Sequence, residues 1–160
     1  MDLNLMTKDL KFLHWSEACS IEYLKERLNY YYHNNTHMSS GYPRCLTANG
    51  SRKDGYAQIK LSKSFGRGLR KTWSPRPWQV ESFVRGIEVP PECEHSHLCG
   101  KGKQGCVDFN HICIESHEAN LDRDRCHEMT GCPGCSLYHP VRVCTHIPRC
   151  IQDNKANTTQ

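Results

Sequence analysis

A chain of 160 residues holds one domain's worth of polypeptide and excludes two independent hydrophobic cores. Only 37% of it is hydrophobic while it carries 11 cysteines and 10 histidines, so apolar burial alone is excluded as the source of its stability. The net charge is +4, and no stretch approaches the ~20 apolar residues of a membrane-crossing helix, which excludes that class of membrane protein.

The opening Met1 to Leu10 carries Asp2, Lys8 and Asp9 and lacks the apolar core of a secretory leader, so an intracellular, soluble protein is expected. Glycosylation triplets at Asn34, Asn49 and Asn157 point weakly the other way. From about Lys8 to Tyr32, Leu10, Leu13, Leu24, Leu28 and Tyr31 recur at helical intervals among charged residues. One or two amphipathic helices are predicted there, forming a helical N-terminal arm over residues 1–40 for packing or dimerisation. Asn34 to Gly41 reads as a polar connector.

The period then changes. In Tyr56 to Ser62, Ala57, Ile59 and Leu61 alternate with Gln58 and Lys60, the repeat of a strand with one buried face. Asn49-Gly50 and Asp54-Gly55 are turn dipeptides, so a strand ending near Leu46 is a candidate partner. Arg52, Lys53, Lys60, Lys63, Arg67, Arg70, Lys71 and Arg76 face one acid, Asp54, in the same stretch. An exposed face carrying Gln58 and Lys60, beside Arg52, Lys53 and Lys63, suits the major groove of DNA, where such side chains read base edges and neutralise phosphates. An ordinary solvated basic face is the bland alternative.

From Cys93 onward the chain is dense in Cys, His, Gly and Pro, with one credible helix from about Ser116 or His117 to Arg125. Cys99, Cys106 and His111 give a Cys-x6-Cys-x4-His array, whose fourth donor is open between Cys93, Cys113 and Cys45. Cys144-x-His146-x3-Cys150 supplies three more donors, which Cys126 could complete. An odd cysteine count interleaved with histidines favours zinc over a ladder of disulfides.

Ser96-His97-Leu98-Cys99, then Cys106, then His111-Ile112-Cys113-Ile114-Glu115-Ser116, then Asn120, Arg123 and Cys126, and finally Cys144, His146 and Cys150, resemble in order the His-Cys box homing endonucleases, within the ββα-metal (HNH-like) nucleases. The resemblance covers about Cys93 to Cys150 and extends faintly back through Cys45, Gln58 and Lys60. It implies one structural zinc on Cys45, Cys99, Cys106 and His111, and a second on Cys126, Cys144, His146 and Cys150. It further implies that His97 is the general base, that Asn120 binds one catalytic magnesium or other divalent ion, and that Gln58 and Lys60 enter the major groove. A homodimer acting on double-stranded DNA follows from the family, as does a nuclear, intron-encoded role.

Two departures stand out. The strand-side arginine that contacts the scissile phosphate in the family has no match in register, although Arg52, Lys53 and Lys60 lie nearby. The segment between Cys126 and Cys144 is long and holds Cys132-Pro-Gly-Cys135, a possible rival pair of ligands. The expected fold is therefore α+β: a twisted antiparallel sheet with a ββα-metal motif, two structural zincs and few short helices, spanning 41–150 and followed by a polar tail over 151–160. Two rivals accompany it, a zinc-dependent DNA-binding protein without cleavage and a secreted disulfide-rich protein.

Overall fold

The structure, a computed structural model, describes residues 9–41, 43–51, 53–129 and 144–151. In chain order its elements are α1 (Trp15–Ala18), α2 (Ile21–Asn35), β1 (Thr36–Met38), β2 (Leu46–Ala48), β3 (Leu61–Ser64), β4 (Arg70–Trp73), α3 (Pro77–Val84), β5 (Cys93–His97), β6 (Ile112–Ser116) and α4 (His117–Met129). The architecture is α+β, with small antiparallel two-stranded sheets and short helices. Among the described residues, no helix is long and apolar enough to cross a membrane.

The chain divides into two compact units that do not follow chain order: Met1–Asn35 with Gln58–Glu88, and Thr36–Ala57 with Val89–Gln160. The predicted helical segment thus shares its unit with the basic segment that follows Gln58.

In the first unit, Leu24, Leu28 and Tyr31 form the buried stripe of α2, at the spacing that places side chains over one another on a helix. Ser20 starts it, its Oγ accepting from the Tyr23 amide at 3.2 Å. Pro77 at the first position of α3 fits the helical φ without losing a backbone bond. Ile59, Leu61, Trp78 and Val80 complete the core, and Trp15 meets Phe83 edge to face at 5.4 Å. Tyr32 donates to Glu81, which also receives Arg85 at 2.5 Å, so this nearly buried carboxylate is paired.

The alternation read from the sequence holds: Ala57, Ile59 and Leu61 are fully buried while Gln58 and Lys60 are exposed. The ladder does not start where expected. It runs over β3, paired with β4 in the register Leu61↔Trp73 to Ser64↔Arg70. Lys71 on β4 donates to the carbonyls of Leu10, Lys11 and Leu13, and Trp73 Nε1 donates to Leu13 at 3.0 Å. Cations on carbonyls left open at a helical turn's end explain why a strand with little apolar content is held in place.

In the second unit, the expected polar connector contains β1, which pairs with β2 as Thr36↔Ala48, His37↔Thr47 and Met38↔Leu46. The other edge of β2 takes up the chain near Cys106: the Ala48 amide donates to Gly105 at 2.9 Å and the Val107 amide to Leu46 at 2.8 Å. Gly105 allows this approach. Its φ is +88°, and a Cβ there would lie 2.0 Å from the Ala48 carbonyl oxygen. The expected pairing of β2's end with the segment after Gly55 survives as one bridge, Gly50↔Ala57.

The strands β5 and β6 pair from Cys93↔Ser116 to His97↔Ile112, and α4 follows β6 directly. Ser116 ends the strand and starts the helix, its Oγ accepting from the Ala119 amide at 3.2 Å. Two antiparallel strands leading into a helix packed on them is the local order β, β, α. Apart from cysteines and glycines, the buried apolar residues described in this unit are Pro43, Ala48, Ala57, Leu98 and Val107. So small a core needs another source of cohesion.

Candidate metal centres and candidate active site

Cysteine and histidine gather in two places that could supply such cohesion. The ligand atoms of Cys45, Cys99, Cys106 and His111 all lie within 4.8 Å of one another, and so do those of Cys126, Cys144, His146 and Cys150. Zinc bound tetrahedrally by sulfur at about 2.3 Å and nitrogen at about 2.0 Å has donor–donor edges of roughly 3.5–3.8 Å, close to this spacing. Each cluster could hold zinc, and each is the set implied by the resemblance. Cys93 and Cys113, which were open as fourth donors, sit instead on β5 and β6, while Cys132 and Cys135 lie outside the described residues.

The electrostatics fit a cation. In the first cluster a hydrogen bond from the Cys106 thiol holds the Cys99 thiol down to about 5, while burial pushes Cys45 up to about 11. Cys106 is held protonated by its bond to the Cys99 sulfur and by burial. Burial and the mutual repulsion of packed sulfurs oppose ionisation of the cluster as a whole, and a divalent ion would balance that charge. In the second cluster burial raises the Cys144 thiol, but the Cys150 amide and the His146 ring bring it down to about 6. Burial pushes Cys150 up to about 12.

Both histidines turn Nδ1 to cysteine sulfur and Nε2 toward a carboxylate, at different distances. His111 turns Nδ1 to Cys106 Sγ at 3.7 Å and Nε2 to Asp108 at 3.8 Å. His146 turns Nδ1 to Cys144 and Cys150 at 3.4 and 3.6 Å and Nε2 to Asp122 at 3.0 Å. At His146 the carboxylate is within hydrogen-bond distance, which fixes the tautomer of the ring and raises its basicity toward a metal. Sequence reasoning missed Asp108 and Asp122; the only signal was an acid three residues before His111 and another one turn before Cys126.

Arg123, 1% exposed, ties α4 to the second cluster. It grips Glu115 of β6 with Nε and Nη2 at 2.7 and 2.8 Å, and Nη1 donates to the Pro148 carbonyl at 2.7 Å and to Cys150 Sγ at 3.4 Å. A guanidinium between a carboxylate and a cysteine sulfur is a buried charge with its counter-ion in place.

His97 ends β5. Its Nε2 lies 3.1 Å from the Cys106 carbonyl oxygen. A carbonyl only accepts, so Nε2 carries the proton and the lone pair is on Nδ1. Burial lowers the His97 pKa, opposed by the charge of Cys99 and by the Cys106 carbonyl, which favours the neutral ring. Gly102 makes room on the Nδ1 side: a Cβ there would stand 2.7 Å from Nδ1 and 2.6 Å from the Tyr56 ring.

Asn120 lies in the first turn of α4. Its Nδ2 donates to Glu94 Oε1 at 2.6 Å and its Oδ1 accepts from Ser96 Oγ at 2.7 Å. The amide is thus fastened to the residue next to His97 in the chain. Asp124, one turn further along α4, is near enough to His97 to raise its pKa. The oxygen donors here, an amide and a neighbouring carboxylate, are of the hard kind that suits magnesium.

The candidate groove residues are placed differently. Gln58, Lys60 and Lys63 belong to the first unit, whereas His97 and Asn120 belong to the second. Lys60 is exposed and its carbonyl accepts from Arg27 at 3.2 Å. The Lys63 ammonium donates to the Ala18 carbonyl, a structural engagement that the basic pattern did not reveal. Lys53 is exposed in a turn, and Arg52 lies outside the described residues.

No family model, no curated protein and no solved structure matches this chain significantly.

Proposed function

We propose that the chain is a sequence-specific endonuclease for double-stranded DNA, of the His-Cys box homing kind, built on a ββα-metal motif. The observation that carries this reading is His97: a neutral imidazole, pinned through Nε2 to a backbone carbonyl, with its lone pair on Nδ1. A base held in one tautomer with a depressed pKa can take a proton from water at neutral pH.

Nδ1 of His97 would take that proton as the water oxygen bonds to phosphorus, and the bond from phosphorus to the 3′ oxygen breaks. Asn120 Oδ1 would hold the divalent ion, which when bound supplies positive charge to the scissile phosphate and the departing 3′ oxygen. The two zincs take no part in the chemistry. They clamp the loop that carries the Cys106 carbonyl and the helix that carries Asn120. A chain of this size covers a half-site, so it would act as a homodimer, in the nucleus, with Gln58, Lys60 and the neighbouring cations on the groove.

The test is incubation of the zinc-loaded protein with a pool of randomised duplex DNA and magnesium, followed by sequencing of the ends. Discrete ends sharing a near-palindromic site support the reading; intact DNA with protein bound to it refutes cleavage. One observation favours a second reading, a zinc-dependent DNA-binding protein that does not cut: the amide of Asn120 is already hydrogen-bonded at both its atoms.

A further inference from the structure

We infer that Glu94 and Ser96 are positioning residues that lock the Asn120 amide with its carbonyl oxygen set as the donor to the divalent ion. This rests on the reading of Asn120 given above. Glu94 and Ser96 are two apart on β5, so their side chains leave the same face of the strand. Both reach Asn120, at 2.6 Å to Nδ2 and 2.7 Å to Oδ1.

The two bonds have fixed senses. An ionised carboxylate can only accept, so the amide nitrogen must face Glu94. The oxygen then faces the Ser96 hydroxyl. The same hydroxyl also lies within hydrogen-bonding reach of Glu115, which Arg123 grips across the hairpin, so Glu94 sets the sense of the amide and Ser96 stands against its oxygen. His117 Nδ1, 3.0 Å from the same Glu94 oxygen, also holds the carboxylate. Turning the amide over would set nitrogen against hydroxyl and oxygen against carboxylate, so one orientation is selected.

This orientation matters to a metal. Amide nitrogen does not bind magnesium, and the carbonyl oxygen has two lone pairs, of which Ser96 engages one. Hydrogen bonding of the N–H group to an anion also shifts electron density toward the carbonyl oxygen, strengthening it as a donor. Neither residue needs to touch the ion to set its affinity, the usual behaviour of groups that hold a ligand in place.

The test follows the Asn120 side-chain amide by 1H–15N NMR in the zinc-loaded full chain, without DNA, as manganous ion is added. Paramagnetic broadening reports metal at the amide and requires no cleavage. The Asn34 amide, which donates to the Tyr30 carbonyl at 2.8 Å, is the control. In the parent the Asn120 resonances broaden before those of Asn34. In both Glu94→Gln and Ser96→Ala the same broadening needs about 10-fold more manganous ion, the lower end of what such outer partners contribute. If Ser96→Ala does not retain both zincs, Ser96→Cys, a weaker donor of similar shape, replaces it with the same direction expected.

Equal titrations in the parent and both variants overturn the inference. So does weakening in Glu94→Gln alone, because loss of a negative charge would weaken any nearby cation. If the parent amide does not broaden selectively, Asn120 is not an ion-binding residue and the reading beneath the inference falls with it.

Discussion

Cys106 meets His97 through its backbone while its thiol joins the first cluster: its carbonyl oxygen lies 3.1 Å from His97 Nε2, and its sulfur lies with those of Cys45 and Cys99. The first cluster and the candidate base therefore meet at a single residue, Cys106, one through its side chain and the other through a hydrogen bond to its backbone. Removing zinc should cost more than stability. Metal analysis of the native protein is expected to give two zincs per chain, and a strong chelator should abolish cutting. Oxidised thiols and an absence of zinc in the native protein would contradict this.

Asp122 stands behind His146 at 3.0 Å. Replacing it with alanine frees the imidazole to turn and lowers its basicity. Asp122→Ala should weaken the second zinc by about 10- to 100-fold, the effect expected of such outer carboxylates, and leave the first unchanged. Competition with a chromophoric chelator resolves the two sites.

Arg123 is the one fully buried cation described, and it holds Glu115 and Cys150 together. Arg123→Met removes the guanidinium and leaves a carboxylate and a sulfur without it. The expected loss is about 3–5 kcal/mol, as for breaking one side of a buried ion pair. Denaturant titration at fixed free zinc measures it; a change within experimental error would show that water takes over both partners.

Gly102 leaves space for the His97 ring on the Nδ1 side. In Gly102→Ala the new methyl group would stand 2.7 Å from Nδ1, so the imidazole must move. Cutting should fall about 100-fold, the scale of a small misplacement of a reacting group, while both zincs stay bound. Single-turnover cleavage alongside metal analysis separates these effects.

How much of this was legible in the sequence follows from the range of the forces involved. The two Cys/His clusters could be read because soft ligands at short spacings have few other uses, and the order of motifs supplied Cys45, which spacing alone left open among three cysteines. The buried face of Ala57, Ile59 and Leu61 could be read because alternation is local. Its strand partner could not: β4 has no apolar alternation and is held by Lys71 on carbonyls some sixty residues earlier in the chain. The strand β1 was hidden for a similar reason, since Thr36, His37 and Met38 owe their conformation to β2. The same holds at the site. His97 and Asn120 were visible as motif positions, whereas Glu94, Asp108 and Asp122 act only through contacts that folding creates.

If His97 activates water against a phosphodiester, its loss separates cutting from binding. Cutting and binding should be measured together for the parent and for His97→Ala, on a duplex recovered from the randomised pool, in the presence of magnesium. Binding is expected to stay unchanged and cutting to fall about 100-fold or more, the contribution of a general base. Cutting by the variant at the parent's rate would contradict that role.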